Sequence, residues 1–141
     1  MNFTNEKREP QIGDIYLVKF SGVGSEQKGF RPGVVFQNNV GNVHSPNLII
    51  LPLTSVMKKT TQPTHVYLPK EVGLKMDSMV LCENPECMSK ERLGIYLTSL
   101  SAEYMGKIAI GNLLASSAIA FLDKEALLSV WQQATALNAV A

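Results

Sequence analysis

Between residues 14 and 97 the chain is a succession of short apolar or alternating runs separated by polar turn material. None of the separators has the length or period of a crossover helix. Asp14–Phe20 (DIYLVKF), Pro32–Gln37 (PGVVFQ), Leu48–Thr54 (LIILPLT), Thr64–Leu68 (THVYL) and Ser78–Glu83 (SMVLCE) carry the β-branched and aromatic residues that favour strands. Arg92–Leu97 reads as a further short strand or part of a turn. Ser21–Arg31, with its glycines and polar residues, reads as a long loop. Asn38–Asn47 reads as turn, Ser55–Pro63 as a polar basic loop, Pro69–Asp77 as a connection, and Asn84–Ser89 as irregular around Pro85. Leu48–Thr54 is the most apolar run and is expected to be central, although Pro52 inside it calls for a bulge or an edge. This order argues against a parallel βαβ sheet and for a small, strongly curved, mostly antiparallel sheet or barrel.

The character of the chain changes at Ser101. That serine is placed to cap a helix with Glu103 in its first turn. Tyr104, Met105, Ile108 and the stretch Ile110–Leu122 supply its apolar face. Asp123 is placed to cap a last helix from Lys124 to about Leu137, whose Leu127, Leu128, Val130 and Trp131 are expected to pack as core, a contact between subunits being the alternative. The fold class is therefore mainly β with C-terminal helices. Residues 12–141 form one domain behind a flexible lead-in of residues 1–11.

Thirteen lysines and arginines against 12 aspartates and glutamates leave a formal charge of +1. That is not the balance of a protein that wraps duplex DNA, though a local positive groove would suffice for single-stranded RNA. Cys82 and Cys87 are too far apart for a C-x-x-C pair, and no second Cys/His cluster completes a zinc site, so free thiols in a reducing cytoplasm are expected, with a disulfide as the alternative. No metal or other cofactor is called for. The N-terminus lacks the apolar stretch of a signal peptide, and no run reaches the roughly 18 apolar residues of a membrane span, so no membrane association is expected.

P-loop, H-E-x-x-H and G-x-S-x-G patterns are absent. His44 adjoins a Ser-Pro turn and His65 opens a strand; a lone histidine of this kind is more often a satisfied hydrogen-bonding group than a catalyst. Arg31 closes the glycine-containing loop just before Pro32, which biases it toward extended backbone and holds its fork at a strand mouth, where it could reach a phosphate. Thr54 and Ser55 close the apolar strand, where hydroxyls could steady a phosphoryl oxygen. Spacing alone favours the plainer reading, a surface arginine and a strand-end threonine.

Gly13–Phe20 (GDIYLVKF), Gly24–Pro46 (GSEQKGFRPGVVFQNNVGNVHSP), Leu51–Ser55 (LPLTS), Pro63–Leu74 (PTHVYLPKEVGL) and Asp77–Glu83 (DSMVLCE) together resemble the MazF/PemK family of toxin endoribonucleases over roughly residues 12–110. The resemblance implies a small SH3-like barrel with helical additions, a homodimer, and sequence-specific, metal-independent cleavage of single-stranded RNA, often messenger RNA. It further implies 2′,3′-cyclic phosphate and 5′-hydroxyl products, and an antitoxin that inhibits by covering the RNA-binding surface. It assigns catalysis to Arg31 and Thr54. Glu26, Gln27, Lys28, Ser55, Lys58, Glu83 and Asn84 are placed as RNA-binding or supporting residues, and Gln37, Asn38 and Asn39 as supports of the loops.

Two departures bear on the site. Lys28 stands where relatives often carry glycine. The segment Glu83–Leu93 reads ENPECMSKERL where relatives read E-Q-I-R-T-I-D, so Glu86 replaces an arginine. A carboxylate near a phosphate path repels substrate unless it faces away, which raises the alternative of a weakened RNA- or antitoxin-binding homologue. A structurally related group of toxins poisons gyrase instead; the Arg31–Pro32 and Thr54–Ser55 elements speak against that for this chain.

Overall fold

The computed structural model describes residues 8–23, 28–57 and 62–136. Strands β1 (Asp14–Ser21), β2 (Lys28–Val35), β3 (Asn47–Thr54), β4 (His65–Leu68), β5 (Ser78–Leu81), β6 (Glu86–Ser89) and β7 (Leu93–Ser99) form one sheet, in the order β4-β5-β3-β2-β1-β7, with β6 added on β3. Every pairing is antiparallel. The path stays open between β4 and β7 among the described residues. Helices α1 (Asn39–His44), α2 (Ala102–Ala115) and α3 (Lys124–Ala136) complete the chain.

Successive side chains on a strand point to opposite faces, so a strand covered on both sides reads as a continuous apolar run. Such double cover explains LIILPLT. Leu51 and Leu53 of β3 join Ile15, Val34, Leu68, Val80 and Ile108 in one core. Leu48 and Ile50 join Tyr16, Val18, Phe20, Val35 and Met88 in another, on the opposite face. Helix α2 closes the first core through Ile108, with Tyr104 and Met105 packed alongside. Pro52 is tolerated because β3 changes partners beside it: residues 47–50 pair with β6 and 53–54 with β5, while Pro52 faces Gly33 of β2.

Four details differ from the sequence reading. Asn38–Asn47, read as turn, contains the short helix α1; Asn38 Oδ1 accepts the Gly41 amide at 2.9 Å, and buried Asn42 donates to the Gln37 carbonyl at 2.9 Å. Strand β2 begins at Lys28, inside the expected loop. The segment around Pro85, expected to be irregular, supplies β6. Helix α2 stops at Ala115, where the Ser116 amide turns back to the Asn112 carbonyl, rather than running on to Leu122. Trp131 also departs from the core-packing expectation, being 60% exposed.

Residues 8–11 are tied to the sheet. Arg8 forms an ion pair with Asp14 at 2.9 Å and stacks 3.9 Å over the Tyr96 ring, while the Ser99 hydroxyl donates to Asp14 at 2.7 Å. Residues 1–7 lie outside the described residues. No helix among those described is long and apolar enough to cross a membrane.

Two outcomes follow from the packing. A Cβ on Gly33 would stand 2.6 Å from Ile50 Cγ2 in the second core, so Gly33→Ala is expected to lower unfolding free energy by about 1–3 kcal/mol in urea denaturation. Both cysteines are free, Cys82 buried and Cys87 exposed. Burial, with Glu83 adjacent, pushes the Cys82 thiol up to about 12. A disulfide reagent at neutral pH should therefore titrate Cys87 alone until the chain unfolds. The folded state holds Cys82 protonated at pH values where the unfolded chain ionises it. That contribution is full below about pH 8.5, the ordinary thiol value, and is lost as pH rises toward 12. Cys82→Ala should flatten this alkaline loss in pH-dependent melts.

Candidate RNA-binding groove

The β2–β3 register pairs Gly33 with Pro52. Carried two residues on, it brings Arg31 level with Thr54 where the strands part. Both line a groove of about 660 Å³, together with Leu17, Phe30, Ser55 and Lys75. Arg31 is exposed and follows Phe30, itself 65% exposed. Thr54 is nearly buried, and its Oγ1 accepts the Val56 amide at 3.2 Å. That bond uses the oxygen as acceptor, so the hydroxyl can still donate.

The far wall is the segment Gly73–Met76. Its geometry is fixed at both ends. The Thr98 hydroxyl of β7 donates to the Val72 carbonyl at 2.7 Å, and the Lys70 amide donates to Asp77 Oδ1 at 2.9 Å. Gly73 turns the chain at φ 122°, a conformation that side chains resist, and a Cβ there would meet Thr98 Oγ1 at 2.7 Å. This loop carries Lys75 to the groove. Sequence reading passed over Lys75 and Phe30, the first as part of a connection and the second as an apolar neighbour of Arg31. An exposed aromatic beside an arginine is the signal that could have marked Phe30.

No aspartate or glutamate is among the described lining residues, so the charges there are the cations of Arg31 and Lys75. The floor and walls are otherwise apolar, with Leu17, Leu53, Leu74, Met76 and Leu97 contributing. A phosphate entering such a site meets cations in reduced dielectric, while a base finds apolar surface.

The other expected site residues distribute as follows. Ser55 lines the groove and is exposed. Lys28 opens β2, opposite Ser21. Glu26, Gln27 and Lys58 lie outside the described residues. Glu83 and Asn84 are not brought to the groove. They sit in the turn between β5 and β6, where the Asn84 amide bonds the Leu81 carbonyl at 3.1 Å and Glu83 pairs with His65 Nε2 at 2.8 Å. His65, with its ring nearly buried, is thereby engaged in structure. His44 ends α1 and does not line the groove. Gln37 and Asn39 brace α1: Gln37 Nε2 donates to the Asn47 carbonyl, and Asn39 Oδ1 accepts the Ile12 amide. Glu86 stands opposite Ile50, four residues from Thr54, or about 13 Å along β3. Among the described residues no group of three or more His, Cys, Asp or Glu side chains could hold a metal ion.

The chain is similar in sequence and fold to known proteins. A sequence profile described as "PemK-like, MazF-like toxin of type II toxin-antitoxin system" matches residues 11–111. Endoribonuclease EndoA of Bacillus subtilis is 41% identical over 98 residues, covering 68% of this chain and 84% of that protein. Among solved structures, an endoribonuclease in complex with its cognate antitoxin from a mycobacterial species is 27% identical, with a TM-score of 0.60, covering 75% of this chain and 93% of that one. MazF of Deinococcus radiodurans (Form-I), at 24% identity, shares the fold with a TM-score of 0.66, covering 78% of this chain and all of that one.

Proposed function

Because this chain belongs to the PemK-like, MazF-like toxin family of type II toxin–antitoxin systems, we propose that it is an endoribonuclease toxin that cleaves single-stranded messenger RNA through the Arg31–Thr54 groove. The observation that carries the reading is the meeting of Arg31 and Thr54, from adjoining strands, in a groove whose described lining holds no carboxylate.

RNA brings its own nucleophile. The 2′-hydroxyl beside the scissile phosphate attacks phosphorus and loses its proton; the bond to the 5′-oxygen breaks, and that oxygen takes up a proton. The products are a 2′,3′-cyclic phosphate and a 5′-hydroxyl. The protein has to hold the 2′-oxygen, phosphorus and 5′-oxygen in line and stabilise the charge that grows on the phosphoryl oxygens. Arg31 is charged at any working pH, so it serves as electrostatic clamp and hydrogen-bond donor rather than as base. The Thr54 hydroxyl, fixed by the Val56 amide, donates to a non-bridging oxygen. Lys75 holds a neighbouring phosphate, and Phe30 offers a face on which a base stacks.

Copies of the chain act as a homodimer in the cytoplasm, where messenger RNA is found. A cognate antitoxin neutralises the enzyme by covering the groove. An acidic or apolar antitoxin segment would find there the same cations and apolar walls that RNA uses.

The test is cleavage of a long mixed-sequence single-stranded RNA in excess EDTA, with both product ends mapped. Discrete cuts carrying cyclic phosphate ends are expected. Arg31→Ala should lower kcat/KM about 100- to 1,000-fold, and Thr54→Val less, with Thr54→Ser retaining most activity. Wild-type rates in folded Arg31→Ala would remove the groove from the mechanism.

The position of Glu86 generates a separate expectation. At about 13 Å from Thr54 it lies beyond a Debye length at physiological salt, so Glu86→Arg should change the cleavage rate by less than about twofold. A large gain in the same assay would place the carboxylate on the RNA path.

A further inference from the structure

The hairpin of β1 and β2 reaches beyond the sheet that carries it. The β1–β7 ladder ends at Val18 opposite Leu93, and the β2–β3 ladder begins only at Gly33 opposite Pro52. Residues 19–21 and their partners, residues 28–30, therefore project past both neighbouring strands. Phe30, opposite Lys19, and Arg31, opposite Val18, line the groove from this stretch. Phe20 joins the second core and so holds the stretch at one point. A two-stranded ribbon gains little stability from its own pairing and is free to twist about such a point.

Arg92 bonds to the hairpin on both sides of Phe20. Its Nη1 donates to the Lys19 carbonyl and to the Ser21 hydroxyl oxygen, each at 3.2 Å. The footing of Arg92 is firm. It ends a short helical turn, Lys90–Arg92, in which the Ser89 hydroxyl oxygen accepts the Glu91 amide at 3.1 Å and the Lys90 amide donates to the Pro46 carbonyl at 3.0 Å. Just beyond it, a Cβ on Gly94 would stand 3.0 Å from the Leu17 carbonyl oxygen, so β7 passes close against the strand that supplies Leu17 to the groove. Arg92 is not among the residues lining the groove.

We propose that Arg92 is a positioning residue for RNA cleavage, fixing the direction of the β1–β2 hairpin and, through its ladder, the placement of Arg31 and Phe30 in the groove. This rests on the groove reading and adds to it a residue that does not itself meet the substrate. Both acceptors are neutral and belong to exposed residues, so the two bonds contribute little to global stability. What they set is geometry, and a displacement of about 1 Å at a phosphate clamp costs up to about 100-fold in rate. Both bonds leave one nitrogen, so the planar fork of arginine is not used and a lysine ammonium can make the same pair.

Single-turnover kinetics on an RNA with one mapped cut site test this. Arg92→Met keeps the aliphatic stem and removes the donor. It should lower the cleavage rate constant about tenfold, with RNA affinity within about twofold and thermal unfolding near that of the wild type. Arg92→Lys should restore most of the rate. Ser21→Ala, which takes away one acceptor, should lower it by less than Arg92→Met does. On an Arg31→Ala background Arg92→Met should cost nothing further, because the group it positions is gone. The salt dependence of RNA affinity should match the wild type, whereas loss of a phosphate contact would lower its slope by about one. Hydrogen exchange without RNA should be faster at residues 19–21 and 28–31 in Arg92→Met and unchanged in β3. The inference is overturned if folded Arg92→Met cleaves at the wild-type rate, if its loss is undiminished on the Arg31→Ala background, or if Arg92→Lys fails to restore it. A lowered salt slope, or unchanged exchange in the hairpin, overturns it equally. Failure of the groove reading shows separately, as wild-type rates in Arg31→Ala, and leaves Arg92 no clamp to position.

Discussion

Strand β3 is the constraint on which the rest depends. It pairs with β2 along one edge and with β6 and then β5 along the other, and its side chains enter cores on both faces of the sheet. Both faces must be covered before such a strand can leave water, so the β1–β2 hairpin, the β4–β5 pair and α2 are all held against it. Where β3 ends, the cover ends too. Thr54 is therefore the last buried residue of the strand and Ser55 the first exposed one, and the groove opens at that boundary. The site is built from the place where the double-sided core runs out.

A hydroxyl at such a boundary is ordered by the core behind it yet faces the groove. An arginine across the strand gap has the opposite character, with a pre-set backbone ahead of Pro32 and a side chain reaching into solvent. The pair combines a fixed short donor with a long, permanently charged one, which suits a phosphate that must bind and then gain charge without being displaced. The overall charge of +1 conceals this. Acidic residues are about as numerous as basic ones, but none with a described position lines the groove, and a local field matters more to one phosphate than the net balance does.

Much of the sheet was legible because period-2 patterning and turn residues are local signals. Asp14–Phe20 and Leu48–Thr54 were recoverable almost to the residue. Helix α1 was not: NVGNVH is poor in helix formers and rich in turn residues, and it forms because Asn38 caps it and buried Asn42 ties it to Gln37. Strand β6 was hidden for a related reason, since ECMS has little strand character of its own and is recruited by the open edge of β3. The break at Ser116 was masked by apolar residues that continue past it, and the exposure of Trp131 by the assumption that apolar stripes face their own core. In the groove, Arg31 and Thr54 were marked by family likeness and by strand-end position. Lys75 owes its place to the Thr98–Val72 and Lys70–Asp77 bonds that fix its loop, contacts made at long range or across a turn with no signature in composition.

The altered segment after β5 shows how register can absorb a change of charge. Substituting a carboxylate for an arginine would be costly on any element bordering the groove. Here the segment turns away at Glu83 and Asn84, where the His65 contact secures the turn, and returns as β6 along residues 47–50 of β3. Its charges are thus delivered toward the start of the strand whose other end carries Thr54. Because strand positions are spaced at about 3.3 Å per residue, the four-residue offset sets the backbone of Glu86 about 13 Å along β3 from Thr54, the end at which we propose that phosphate binds. The same pairing that buries Met88 in the second core therefore keeps this segment out of the groove lining.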